Sequence, residues 1–278
     1  MQRLGPMVRY GRIYNLYVRC YILTEIVNLI WDSWNNGRVI PKIPNHALPQ
    51  TRKEAYAIQS DYCSKSKYPC FGWKIAATSL AGQQHIGVTS PIAGRLLKER
   101  VFSPNSSLLF GSNRMAVAEP EFAFKMKKTL FARKEEYKRE EVILAVDTLH
   151  LAVEIPDSRF EDFSTVGAIQ LIIDNACAHE LVIGPPVKSD WKHKDLSKHN
   201  VTISTQGGSS NLGNGSNVLG DPRNALTWLV NELSKNNINL MAGETVTTGT
   251  CTIPIAIQKN DIITADFGTL GAIQLSLC

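Results

Sequence analysis

Ala118-Glu-Pro-Glu-Phe-Ala-Phe124 sets two carboxylates inside an otherwise apolar run, and any fold must give them a partner. Alternation over 117–126 reads as a strand. Residues two apart on a strand share a face, about 7 Å apart at roughly 3.3 Å rise per residue. Glu119 and Glu121 therefore point one way, and Phe122 and Phe124 point to the core. Like charges on one face repel unless a cation or a proton stands between them. A third acid, Glu154, lies in Ala152-Val-Glu-Ile-Pro-Asp-Ser-Arg159, inside a second apolar strand over 151–155. Burying it unpaired is costly. Three converging carboxylates are hard oxygen ligands, suited to Mg²⁺ or Mn²⁺ and poorly suited to zinc or copper. The plainer alternative is a solvated pair on an exposed strand, because E-x-E is short and common. Pro120, with no N–H for a ladder, points to an edge or bulged strand.

Lys74 interrupts a third apolar run, Phe71-Gly-Trp-Lys-Ile-Ala-Ala77. It either snorkels to the surface or faces an anionic ligand from a half-buried position. Arg159 is a candidate for a substrate carboxylate or a partner for Asp157. Thr250 and Thr252, beside Gly249, could hold a substrate carboxylate through hydroxyls and amides, or equally satisfy a strand end. The six histidines show no H-x-x-x-H spacing, and no G-x-S-x-G elbow is present.

Helical spacing of Ile26, Val27, Ile30, Trp31 and Trp34 predicts an amphipathic helix. Thr51 with Glu54 forms a capping box that opens a second helix. Strands are expected over 70–77 and 181–183, and helices over 140–149 and 165–175. The Gly/Ser/Asn-rich segment 205–220 reads as a flexible loop, since Gly213-x-Gly215 lacks the third glycine and lysine of a phosphate cradle. Asp221-Pro222 caps a helix whose stripe is Leu226, Leu229, Val230 and Leu233. Short strands then follow over 245–248, 253–257, 262–267 and 272–277, the last two joined as a hairpin through Gly268-Thr-Leu-Gly271. Strands and helices come in irregular order, which makes the class α+β.

The 278 residues carry 30 basic and 25 acidic side chains, a net +5, too mild for a dedicated nucleic-acid face. Nothing in the chain reads as a transmembrane helix. The first 23 residues, with Arg3, Arg9, Arg12 and Arg19 and no acid before Glu25, read as an extension ahead of one catalytic domain over 24–278. Within that domain, 24–68 is helical and 69–278 is a β-rich core. Six scattered cysteines without a C-x-x-C pair read as reduced thiols of a cytoplasmic protein, not as a disulfide frame.

Gly72-Trp-Lys-Ile-Ala-Ala-Thr-Ser79, Glu119-Pro-Glu121, Val153-Glu-Ile-Pro-Asp-Ser-Arg159, Asp174-Asn175, Ala242-Gly-Glu-Thr-Val-Thr-Thr-Gly-Thr250 and Ala265-Asp-Phe-Gly-Thr-Leu-Gly271 occur in that order. Together they resemble the 2-keto-4-pentenoate hydratase group of the fumarylacetoacetate hydrolase superfamily. The resemblance implies mixed β-sheets rolled around a central site with peripheral helices. It implies Mg²⁺ or Mn²⁺ held by Glu119, Glu121 and Glu154, with Lys74 close to the substrate's oxygens. The substrate class would be short 2-oxo acids of aromatic catabolism that chelate the metal, which stabilises an enolate. Homodimers or larger assemblies are implied as well. Two departures stand out. Ser90-Pro-Ile-Ala-Gly94 has Ile92 where several hydratases have an acid, and isoleucine moves no proton. Ala176-Cys177-Ala178 replaces a more serine-rich run. The activity expected is hydration of 2-hydroxypenta-2,4-dienoate-like compounds. A 4-oxalocrotonate-type decarboxylase and an acylpyruvate hydrolase are rivals, and a non-catalytic 2-oxo-acid binder is a further alternative.

Overall fold

The computed structural model describes residues 23–278, so the arginine-rich start of the chain lies outside the described residues. Helix α1 (23–36) buries Ile26, Val27, Ile30 and Trp34, as their spacing predicts. Helix α2 (Arg52–Lys65) begins where Thr51 accepts from the Glu54 amide, while the Glu54 carboxylate accepts from the Gln50 amide. Its inner face is partly polar. Gln59 donates to the carbonyls of Ala93 and Ile172, and Tyr62 donates to that of Ile173.

The strands that follow are β1 (Gly72–Ala76), β2 (Ile92–Leu96), β3 (Val101–Phe102), β4 (Ser107–Leu108), β5 (Val117–Met126), β6 (Val146–Ile155) and β7 (Glu180–Pro186). Helix α3 (Leu80–His85) stands between β1 and β2. Helix α4 (Arg139–Leu144) precedes β6, and α5 (Gly167–Ile173) precedes β7. The chain ends with β8 (Asn200–Thr205), β9 (Ser210–Asn214), α6 (Pro222–Lys235), β10 (Thr245–Thr250), β11 (Ile255–Ala256), β12 (Ile262–Asp266) and β13 (Ala272–Leu277).

Two mixed sheets result. The first runs β2-β1-β10-β5-β6-β7-β3, with β11 continuing beside β5 where β10 leaves it. The second runs β4-β13-β12-β8-β9. The pairs β1–β10, β3–β7 and β4–β13 are parallel, and the others are antiparallel. Phe122 of β5 meets Phe267, just beyond β12, with ring centroids 5.3 Å apart. The phenylalanine face of β5 thus packs on the second sheet, and its glutamates face the other way. The α+β expectation of mixed sheets with peripheral helices holds.

Five readings are corrected. The helix expected over 140–149 stops at Leu144, because Val146 and Leu149 pair with Met126 and Phe124 of β5, and ladder pairing outweighs local helical spacing. Segment 205–220 contains β9, paired to β8, so it is not simply a loop. The strand expected over 253–257 shrinks to β11. For Pro120 the edge alternative is corrected and the bulged one holds, since it lies on an interior strand beside an irregularity in the ladder. It is tolerated there because the neighbouring ladder shifts between Thr247 and Thr250, and Pro120 contributes its carbonyl, accepting from Cys251 N–H at 2.8 Å. Finally, Cys63 and Cys70 form a disulfide, Cα–Cα 5.4 Å, joining the end of α2 to the approach of β1. The reversal between those elements brings the two thiols together, which their spacing alone does not reveal.

Candidate metal centre

Strands β5 and β6 are paired so that Glu119 lies directly opposite Glu154, and Glu121 opposite Ala152. Alternation then sends all three glutamates to one face. Each offers a carboxylate oxygen within 4.8 Å of the others. Glu121 and Glu154 are buried and Glu119 is half-buried. Leu96, Ala123, Ala152 and Leu181 form a small apolar cluster beside them.

Lys74 reaches this group from β1, two strands away from β5, and is itself buried. Its Nζ lies 3.1 Å from Glu154 Oε1 and donates to the Ala176 carbonyl at 2.9 Å. Lys74 therefore does not snorkel to the surface; it is fully buried, not half-buried, and the anionic partner seen is Glu154. Glu121 Oε2 accepts from Gly249 N–H at 2.8 Å. Glu121 Oε1 and Glu154 Oε2 are buried with no hydrogen-bond donor among the described residues.

The electrostatics follow from one cation against three acids. Burial, then the Glu154 charge, pushes the Glu119 pKa up to about 7 against the pull of Lys74. Burial, then Glu154 and Glu119, holds Glu121 well above the usual carboxylate range. Burial also raises Glu154, with Lys74 opposing it. For Lys74, burial alone would lower the pKa, but Glu154 and the other two glutamates lift it to about 12. Among the described residues, Lys74 is the one positive charge set against these three acids. A divalent cation fits: the donors are hard oxygens, two of them are unused, and their charges need neutralising.

Gly249 was not among the residues singled out for a role, although a glycine within a strand is a signal of close backbone approach. It sits at φ +97°, and a Cβ there would lie 2.1 Å from Thr78 Oγ1. Residues 175–177 were also given no role. Asn175, Ala176 and Cys177 form a turn in which all three have positive φ, a conformation costing roughly 1–2 kcal/mol per non-glycine residue.

Arg159 is not brought to the glutamates as a free cation. Its Nε lies 2.6 Å from Asp174 Oδ1, its Nη1 donates to the carbonyls of Asp157 and Ala178, and its Nη2 donates to that of Asp174. Its carboxylate partner is Asp174, and Asp157, one of the two alternatives for Arg159, meets it through the main-chain carbonyl. Thr250 Oγ1 donates to the Thr252 carbonyl and Thr252 Oγ1 to that of Ile253, so both hydroxyls serve the turn that leaves β10. Ile92 is fully buried, two residues before Gly94, the register partner of Lys74. A cavity of about 250 Å³ among the described residues is elsewhere, beside Trp34, Arg38, Arg114 and Arg159. Its arginines are largely occupied: Arg114 donates to the carbonyls of Phe160 and Glu161.

No family model matches the chain. Among curated proteins it is 26% identical over 253 residues to a 2-keto-4-pentenoate hydratase of Paraburkholderia xenovorans, covering 90% of this chain and 93% of that protein. It is 29% identical over 239 residues to a 4-oxalocrotonate decarboxylase of Pseudomonas putida, covering 84% and 89%. Among solved structures, 4-oxalocrotonate decarboxylase from Pseudomonas putida G7, complexed with magnesium and adipate, superposes with a TM-score of 0.82 at 24% identity, covering 94% of this chain and 98% of that one. The same enzyme complexed with calcium and acetate gives 0.81 at 25% identity, with the same coverage.

Proposed function

We propose that this chain, which has the fold of the fumarylacetoacetate hydrolase superfamily and resembles its 2-keto-4-pentenoate hydratase group over most of its length, is a metal-dependent lyase. Its reaction is hydration of 2-hydroxypenta-2,4-dienoate-like 2-oxo acids to 4-hydroxy-2-oxo acids. The observation that carries the metal is the pair of buried, donor-less oxygens on Glu121 and Glu154, facing the Glu119 carboxylate. These three residues would hold Mg²⁺ or Mn²⁺. Bound there, the cation supplies a Lewis acid to the substrate's carboxylate and 2-oxo oxygens.

The chain's own contribution is positional and electrostatic. Lys74, held by Glu154 and the Ala176 carbonyl, keeps its proton at Nζ and steadies negative charge developing on the substrate's 2-oxo oxygen. Leu96, Ala123, Ala152 and Leu181 keep water from one flank, where low polarity strengthens each of these charge interactions. Hydration adds hydroxide at C4 and a proton at C5 of the dienoate, while the 2-hydroxyl gives up its proton and C3 takes one up, which leaves the 2-oxo group. Residue 92, an isoleucine, delivers no proton, so that transfer belongs to another group.

Decarboxylation of a 4-oxalocrotonate-type acid is a second reading. It is favoured by the likeness to a 4-oxalocrotonate decarboxylase and by Ile92. A homodimer or larger assembly acting on a small 2-oxo acid, with no nucleic acid or membrane, completes the proposal. Cytoplasmic location belongs to it too, although the reduced-thiol argument for it is lost with the Cys63–Cys70 bond.

An NMR time course with Mg²⁺ and freshly generated 2-hydroxypenta-2,4-dienoate tests the reading. Formation of 4-hydroxy-2-oxopentanoate above an EDTA-treated control is the expected result. Kinetics equal to that control would sink the hydratase, and CO₂ release from 4-oxalocrotonate would then decide for the decarboxylase.

A further inference from the structure

Lys74 owes its position to a backbone turn that the proposed chemistry leaves unused. The carbonyl of Ala176 accepts from Lys74 Nζ at 2.9 Å, and it belongs to the middle of the positive-φ run Asn175-Ala176-Cys177. An alanine and a cysteine have no intrinsic reason to adopt that conformation, so the surroundings must impose it. Asn175 is the one residue of the three that tolerates it readily. Its side chain also ties the turn down from both ends: Oδ1 accepts from Arg95 N–H at 2.6 Å, and Nδ2 donates to the Arg95 carbonyl at 2.9 Å. The amide side chain thus stands in for a neighbouring strand along β2.

The preceding residue of β2 makes room for this. Gly94 is the register partner of Lys74, and a Cβ on it would lie 2.1 Å from the Asn175 carbonyl oxygen. The turn therefore comes down beside Lys74 only because position 94 has no side chain. On the other side it is anchored by Arg159, which binds Asp174 and the Ala178 carbonyl, and by Tyr62 on the Ile173 carbonyl. Lys74 is left with two fixed partners, the Ala176 carbonyl and Glu154. Either one alone would let the long side chain swing; together they define its direction.

We infer that Asn175, with Gly94 as the gap that admits it, is a positioning residue: it locks the 175–177 turn so that the Ala176 carbonyl aims Lys74 at the glutamates and at the substrate they hold. This rests on the role proposed for Lys74, and the test separates the two. Asn175→Gly keeps the turn's backbone accessible while removing the clamp, and Asn175→Ala removes both. Two readouts are taken: turnover with Mg²⁺, and calorimetric titration of oxalate into the Mn²⁺-loaded protein.

Asn175→Gly should lower kcat by about tenfold to a hundredfold, the range expected when a reacting group is slightly misplaced. Mn²⁺ affinity should stay within about twofold, and oxalate affinity should fall as it does in Lys74→Met. In the Lys74→Met background the same change should add less than about twofold, because both substitutions then remove one interaction. Full additivity, wild-type turnover and oxalate affinity in Asn175→Gly, or a loss of Mn²⁺ affinity equal to the loss of turnover would each overturn the inference. A wild type that holds Mn²⁺ and oxalate but turns over none of the proposed substrates would end the activity reading, and the oxalate titrations alone would then decide the positioning role.

Discussion

Gly249 donates its backbone N–H to Glu121 Oε2 at 2.8 Å from a φ of +97°, with Thr78 Oγ1 occupying the space where a side chain would begin. The amide that orients one proposed ligand is therefore available only from a glycine. Gly249→Ala should cost roughly 1–3 kcal/mol of stability through strain. It should also weaken Mg²⁺ binding by about tenfold or more, the usual effect of losing a group that orients a ligand. Thermal melts with and without Mg²⁺ measure both. An unchanged Mg²⁺ shift in a folded variant would dissociate Gly249 from the site.

Removing a carboxylate and removing the lysine should have opposite signatures. Without metal, Glu121 is a buried acid among like charges, so Glu121→Gln should melt no lower than the EDTA-treated parent and should lose the Mg²⁺-induced shift. Lys74→Met strips the trio of the one cation that neighbours it among the described residues. It should melt lower without metal, recover much of the loss with Mg²⁺, and lose turnover. Equal loss of Mg²⁺ response in the two variants would place Lys74 in the metal cradle instead.

The pH dependence has a definite sign. Glu119 is raised to about 7, first by burial and then by Glu154, above an unfolded value near 4.5. Between those values the folded, metal-free protein binds more protons than the unfolded chain, so this contribution to stability declines as pH rises from about 4.5 to 7. Metal competes with the same protons, so Mg²⁺ affinity should rise across that window and binding should release protons. Calorimetric titration in buffers of different ionisation enthalpy would detect the release. A pH-independent Mg²⁺ affinity between pH 5 and 8 would contradict it.

The disulfide between Cys63 and Cys70 closes a short loop, for which chain entropy gives about 2–3 kcal/mol. Reduction, or Cys63→Ser, should lower the melting temperature by about 3–6 °C for a chain of this size. Intact mass after alkylation, with and without prior reduction, reports the bond directly. Alkylation of both cysteines without reductant would show that the bond is not formed in solution.

Local patterns in the chain announced much of this architecture. Alternation marked β5 and the β12–β13 hairpin, helical spacing marked α1 and α6, and charges stranded in apolar runs marked Lys74, Glu119, Glu121 and Glu154 as a group needing one another. What local pattern could not carry was the choice of partner. Arg159 finds Asp174, fifteen residues away, at the end of α5 just before the left-handed turn. Val146 and Leu149 satisfy a helix on spacing, yet β5 recruits them into a ladder. Pro120 pointed to an edge or a bulge without deciding between them, because the shift in the neighbouring strand that accommodates it lies more than a hundred residues further along the chain.

Glu119 and Glu154 are opposite one another in a single antiparallel ladder, and this makes the centre a record of how the sheet was assembled. Side chains alternate along each strand, so sliding β6 by one residue past β5 would send Glu154 to the phenylalanine side and leave Glu119 facing an apolar neighbour. A chain that collapsed with that slip could keep its secondary structure and much of its apolar burial, yet it would have no three-carboxylate face to offer a cation. Ion capture at this position therefore distinguishes the correctly threaded molecule from near copies of itself.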